Sequence, residues 1–122
     1  MKITRSNIVL QDLRFYAYHG VLPQERRVGG DYSVTLDIEA DLSEAVETDR
    51  LDATINYAAL YAVVKREMLI PSALLEHVAG RMARAVFDTF PQARALSIRV
   101  VKLNPPMGAD SQGAGVQLEV KR

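Results

Sequence analysis

The 122-residue chain predicts an α+β domain: a four-stranded antiparallel sheet with two helices on one face, in the order strand, strand, helix, helix, strand, strand. Three observations point to it. Between Tyr32 and Leu42, apolar Val34, Leu36, Ile38, Ala40 and Leu42 alternate with polar Ser33, Thr35, Asp37, Glu39 and Asp41, the period of a strand with one buried face. Residues 57–68 and 72–87 instead repeat their apolar side chains at spacings of three and four, as helices lying on a sheet do. Consecutive strands pair as hairpins, and one-sided alternation leaves a single apolar face for both helices to cover.

The first strand is expected over residues 7–18, rich in β-branched and aromatic types but interrupted by Asp12, which suggests an irregularity near its middle. His19-Gly20 ends it. ERRVGGD at 25–31, with paired glycines and four charges, reads as a loop before the alternating strand. The acidic stretch 43–56 lacks a long period and predicts a connection with one short helical turn after Ser43. Asn56 is a plausible cap for the first helix, whose stripe is Tyr57, Leu60, Tyr61, Val64 and Met68. Pro71 stops that helix, and a second opens at Ser72 with Leu74, Leu75, Val78, Ala79, Met82, Ala83, Val86 and Phe87 on one side. Ala95 to Leu103 and Gly115 to Lys121 supply the last two strands around the turn-rich NPPMGADSQG.

A chain of this length forms one domain, residues 1–122. Lys plus Arg and Asp plus Glu each total 15, so there is no basic field to gather nucleic acid. The absence of cysteine removes disulfides and thiolate chemistry, and two histidines, His19 and His77, make no metal site unaided. The first ten residues lack the apolar centre of a signal peptide, and the longest apolar run, Tyr57 to Val64, is far below the roughly 20 residues that span a bilayer. These features predict a soluble cytoplasmic protein without a membrane partner.

Chemistry shows first at Lys102. Leu96, Ile98 and Val100 share a strand face, and Lys102 is the next residue on it. On periodicity alone the simplest account is a lysine that reaches into solvent at the strand end. Burial disfavours an ammonium, however, so a lysine at the inner edge of a sheet can also serve proton transfer. Glu76, in the first turn of the second helix, is either a dipole-friendly surface carboxylate or one that accepts two parallel hydrogen bonds from a planar amidine-like edge. His19 and Glu25 put titratable groups on a loop after the first strand. Tyr57 carries a stackable ring and a phenol, yet its helical spacing places it in the core.

In order and together, RFYAYHGVLPQER from Arg14, DLSEAVETD at 41–49, ATINYAALY at 53–61, LLEHVAGRMA at 74–83 and RVVKLNPP at 99–106 resemble the dihydroneopterin aldolase family of folate biosynthesis. The resemblance runs from about residue 6 onward. It implies the tunnelling fold, ββααββ, with subunit sheets joined edge to edge into a barrel, four subunits to a ring and two rings to an octamer. It implies that Glu76, with the backbone at Leu75, holds the aminopyrimidine edge of a pterin. Tyr57 from a neighbouring subunit would lie on the ring and help protonate the intermediate. Glu25 would engage the side-chain hydroxyls, and Lys102, through a water, would be the general base. The implied reaction is retro-aldol cleavage of dihydroneopterin to hydroxymethyl-dihydropterin and glycolaldehyde, with the ring imine as electron sink, no cofactor, no metal and a possible epimerase side activity. Two alternatives stand beside it: a dihydroneopterin triphosphate epimerase, for which Arg26-Arg27 could serve the phosphates, and a non-catalytic pterin-binding ring.

Overall fold

The computed structural model describes all 122 residues. Four strands, β1 (Asn7–Ala17), β2 (Gly30–Glu39), β3 (Ala95–Lys102) and β4 (Ala114–Lys121), form one antiparallel sheet in the order β1-β2-β3-β4. Each hydrogen-bonds only to its sequence neighbours in the sheet, so β1 and β4 are open edges.

The alternation of β2 is realised in full. Tyr32, Val34, Leu36, Ile38 and Ala40 are buried, and in β3 the same face carries Leu96, Ile98 and Val100. On β1 the irregularity at Asp12 is a one-residue bulge, since the register passes from Leu10↔Leu36 to Leu13↔Val34. The inserted residue shifts the pleat by one position, which lets Ile8 and Leu10 before it and Leu13, Phe15 and Ala17 after it pack on the same core. Asp12 takes the left-handed conformation (φ 55°), its N–H donates to Thr35 Oγ1 (3.0 Å), and its carboxylate accepts from Ser33 (2.6 Å) and from Arg14 in a two-pronged pair (2.7 and 3.0 Å). A short polar side chain suits that conformation.

Two long helices cover the apolar face. α3 (Tyr57–Met68) lies along β1 and packs on α4 (Leu75–Thr89), which spans β3 and β4. Asn56 caps α3 as expected, its side-chain oxygen accepting the Ala58 N–H at 2.9 Å. α3 buries Leu60, Val63, Val64, Glu67 and Met68, while α4 buries Val78, Ala79, Met82, Ala83, Ala85 and Val86. The predicted turn after Ser43 is the short helix α2 (Ser43–Thr48), followed by a 3-10 turn at Leu51–Ala53. No helix is long and apolar enough to cross a membrane.

Three expectations are corrected. The charged segment at 25–31 is not a plain loop: Pro23–Val28 forms α1, because proline at its first position is pre-set for a helix and Arg26 and Arg27 sit in the last turn where cations are favoured. The second helix opens at Leu75 and not at Ser72, whose N–H and carbonyl are taken by the segment after β1. Tyr57 does not join the core; it is 68% exposed, because the buried stripe of α3 follows Leu60, Val63, Val64 and Glu67.

Candidate active site

Lys102 ends β3 directly opposite Tyr32 of β2. It does not snorkel into solvent. Its side chain is 15% exposed, and its ammonium is hydrogen-bonded to Glu25 Oε2 in an ion pair whose carboxylate partner is 16% exposed. The two residues are 77 positions apart in sequence. The ring of Tyr32 lies under the pair, its centre 5.8 Å from Lys102 Nζ.

α1 exists to present Glu25. The other carboxylate oxygen, Oε1, accepts the Leu22 N–H at the start of the helix (3.3 Å), and the Lys102 hydrogen bond, ahead of that one, holds the Glu25 carboxyl below the usual carboxylate range against the opposing effect of burial. Gly20 makes the placement possible. It adopts φ +154°, and a Cβ there would come within 2.5 Å of Glu25 Cβ and 2.6 Å of the carboxylate, so only glycine fits beneath this side chain. Arg26 reaches back to the carbonyls of Gly20 and Val21 (2.7 and 3.1 Å), which ties α1 onto the turn that precedes it.

Glu25, Lys102, Tyr32 and His19 line a cavity of about 390 Å³ whose far wall is made by Gly29–Asp31 and by Asn104 and Pro106 of the turn-rich loop. The site residues inferred from sequence divide here. Glu25 and Lys102 come together in the cavity, whereas Tyr57, Leu75 and Glu76 do not line it. Leu75 and Glu76 form the first turn of α4, which has no side-chain cap, and Glu76 is exposed. Tyr57 is at the opposite end of α3, a helix of 12 residues and therefore about 18 Å long. Phe15 and Tyr61, stacked at 5.8 Å, fix that end beside edge strand β1.

His19 is a buried structural histidine, fully enclosed, with its ring edge-on to Tyr32 at 5.2 Å. Its Nδ1 accepts the Ser72 N–H (3.1 Å). Burial, and then the positive charges of Arg81 and Lys102, push its pKa down from 6.5 to about 4, so the ring is neutral at neutral pH. Nε2 has no partner within hydrogen-bond geometry, although the Met68 carbonyl is near enough to oppose the shift. Sequence reasoning missed what surrounds this ring. Arg81 donates to Ser72 Oγ (2.6 Å), to the carbonyls of Glu67 (2.7 Å) and Ile70 (2.9 Å), and to the Glu67 carboxylate (3.3 Å). Its partners lie 9 to 14 positions away, beyond any local pattern. Tyr32 could have been found, since β2 alternation puts it on the core face at the end nearest Lys102. No group of three or more histidine, cysteine, aspartate or glutamate side chains gathers to hold a metal.

An open antiparallel sheet with two helices on one face, its strand ends closing a small cavity around a lysine–carboxylate pair, is the subunit architecture of the tunnelling fold that the family resemblance implies. Comparison with known proteins narrows the class. A model of the family described as FolB, dihydroneopterin aldolase, matches residues 8–119. The chain is 35% identical over 112 residues to the dihydroneopterin aldolase of Staphylococcus epidermidis, covering 91% of this chain and 93% of that one. It is 34% identical over 116 residues to that of Bacillus subtilis, covering 94% and 97%. Its fold superimposes on the E. coli dihydroneopterin aldolase solved in complex with neopterin, with TM-score 0.86, 21% identity, and coverage of 94% and 98%. The chain belongs to the dihydroneopterin aldolase family, aldehyde-lyases of folate biosynthesis.

Proposed function

We propose that the chain cleaves dihydroneopterin by a retro-aldol reaction in which Lys102 and Glu25 handle the proton and the start of α4 holds the ring. The enclosed Lys102–Glu25 pair is the observation that carries this assignment. Hydroxyls of the substrate side chain that engage Glu25 draw its carboxylate away from Nζ, leaving the lysine to exchange a proton with a bridging water. With its ammonium proton released to solvent, neutral Lys102 takes the proton of the second side-chain hydroxyl through the water, and electrons from the breaking carbon–carbon bond flow into the ring imine. Glycolaldehyde departs, and the resulting enamine is protonated at carbon by the proton that Lys102 returns through the water, giving hydroxymethyl-dihydropterin. Because the substrate supplies its own electron sink, neither a lysine Schiff base nor a metal is needed.

Glu76 and the backbone at Leu75 are assigned to the aminopyrimidine edge, where a carboxylate accepts two parallel hydrogen bonds beside free first-turn amides. Tyr57 is assigned to the ring held by a neighbouring subunit. In support, its exposed ring is carried by the first turn of α3, the helix that packs beside β1, while α4 covers β3 and β4 and begins beyond the other end of α3. Joining β1 of one subunit to β4 of the next would bring Tyr57 and Glu76 together and remove both open edges, in the four-membered rings and stacked octamer that the family resemblance implies. A cytoplasmic location belongs to the same proposal.

The triphosphate epimerase alternative needs Arg26-Arg27 for phosphate; of that pair Arg26 is engaged by two loop carbonyls, and Arg27 is exposed. A side-by-side assay with free and triphosphorylated dihydroneopterin, run with a chelator present, tests the assignment. Rapid release of glycolaldehyde from the free substrate is expected; a strong preference for the triphosphate, or loss of turnover on chelation, would overturn it.

A further inference from the structure

A polar strut with no part in the bond-breaking chemistry joins the two halves of the proposed site. On the sheet side, the buried Tyr32 phenol donates to the His19 carbonyl (2.7 Å) and accepts the His19 N–H (3.2 Å), while its ring lies beneath Lys102. From there the strut crosses to the helix layer. His19 Nδ1 accepts the Ser72 N–H (3.1 Å), and the neighbouring Gly20 N–H donates to the Ser72 carbonyl (2.9 Å). Ser72 lies in the α3–α4 linker, three residues before Leu75, and Arg81 clamps that linker from α4 through Ser72 Oγ and the carbonyls of Glu67 and Ile70.

We infer that His19 and Arg81 are positioning residues for the aldol reaction, setting the span between the Glu25–Lys102 pair at the end of β3 and the ring-holding start of α4. This role rests on the site assignment above and adds to it groups that touch neither the ring nor the side chain of the substrate. Proton transfer through a water tolerates little error in such a span, since a displacement of about 1 Å can cost a hundredfold in rate. The ring of His19 suits the task because it is neutral and walled in. With Nδ1 accepting, its proton sits on Nε2, and the imidazole has one orientation in which Ser72 is satisfied. Arg81 supplies donors in several directions from one planar group, which a lysine would not reproduce.

The test separates chemistry from ring binding. Turnover of dihydroneopterin and the Kd of pterin itself, which has the ring and no trihydroxypropyl chain, are measured for wild type, His19→Ala, His19→Asn, Arg81→Met and Arg81→Lys. His19→Ala and Arg81→Met are expected to lower kcat at least roughly tenfold while pterin affinity stays near the wild-type value. His19→Asn keeps an acceptor near Nδ1 and should recover most of the lost kcat, whereas Arg81→Lys should recover little. Unchanged kcat in the alanine and methionine variants overturns the role. So does a parallel fall of kcat and pterin affinity that follows the folded fraction seen by circular dichroism, or an asparagine variant no better than alanine. A wild-type chain that neither binds pterin nor cleaves the substrate overturns the site assignment as well, which distinguishes the two failures.

Discussion

Glu25 has both carboxylate oxygens engaged within its own chain, one by Lys102 and one by the Leu22 amide, so a substrate hydroxyl that engages Glu25 as proposed has to open this ion pair. Lys102→Ala should lower kcat by about 10² to 10⁴, the usual worth of a positioned acid–base group, while the ring still binds; product release and a fluorescence titration with pterin check the two halves. Gly20→Ala should destabilise the fold by more than about 1 kcal/mol and displace Glu25, because the site combines positive φ with a direct clash; denaturant titration with an activity assay reads both. Acid sensitivity follows from His19. Its ordinary pKa of 6.5 falls to about 4 in the folded chain, where Arg81, Lys102 and the Tyr32 ring surround it, so between those values the unfolded state takes a proton that the folded state refuses. Stability should therefore be flat with respect to this group above pH 6.5 and decline as pH falls toward 4. Glu25 acts in the same direction, its contribution present above the ordinary carboxylate range and lost as pH falls further. Thermal midpoints at pH 7.5 and 5 for wild type and His19→Asn test the histidine share, which the substitution should remove.

At the scale of elements, local chemistry was legible wherever one residue decides the conformation. Asn56 announces α3, and Asn56→Ala should cost about 1 kcal/mol in a denaturation curve. Met82, fully buried on α4, lies in the stripe that spacing identified, and Met82→Ala should cost roughly 2–5 kcal/mol. The bulge in β1 was visible because Asp12 breaks an apolar run, and the pleat shift it causes explains why the run continues out of phase. α1 was missed for an instructive reason: its charges and the paired glycines just after it resemble a loop, and beside the proline at its start it is tied down by the contact of Glu25 with a lysine 77 positions away. The start of α4 was placed three residues early because Ser72 has the chemistry of a cap but gives its amide to His19. Lys102 was legible as a break in alternation; its direction was not, since only the fold supplies a carboxylate to hold it inward. Tyr57 was misread as core because its spacing fits the stripe, while the sheet beneath α3 ends at β1.

At the scale of the whole molecule, the proposed site divides between chains, with Glu25, Lys102 and the start of α4 from one and Tyr57 from its neighbour. Mixing Tyr57→Phe and Glu76→Ala subunits, each of low activity alone, should restore some turnover by assembling intact sites from different chains. No recovery after exchange demonstrated by native mass spectrometry would count against a shared site.

The two open edges of the sheet have a kinetic corollary. If an edge of one chain completes the site of the next, turnover per chain cannot be a constant of the molecule. Progress curves started by strong dilution should slow with time as rings come apart, and curves started from separated chains should show a lag that shortens as protein concentration rises. A specific activity that stays level down to concentrations where light scattering reports single chains would show that each subunit works alone.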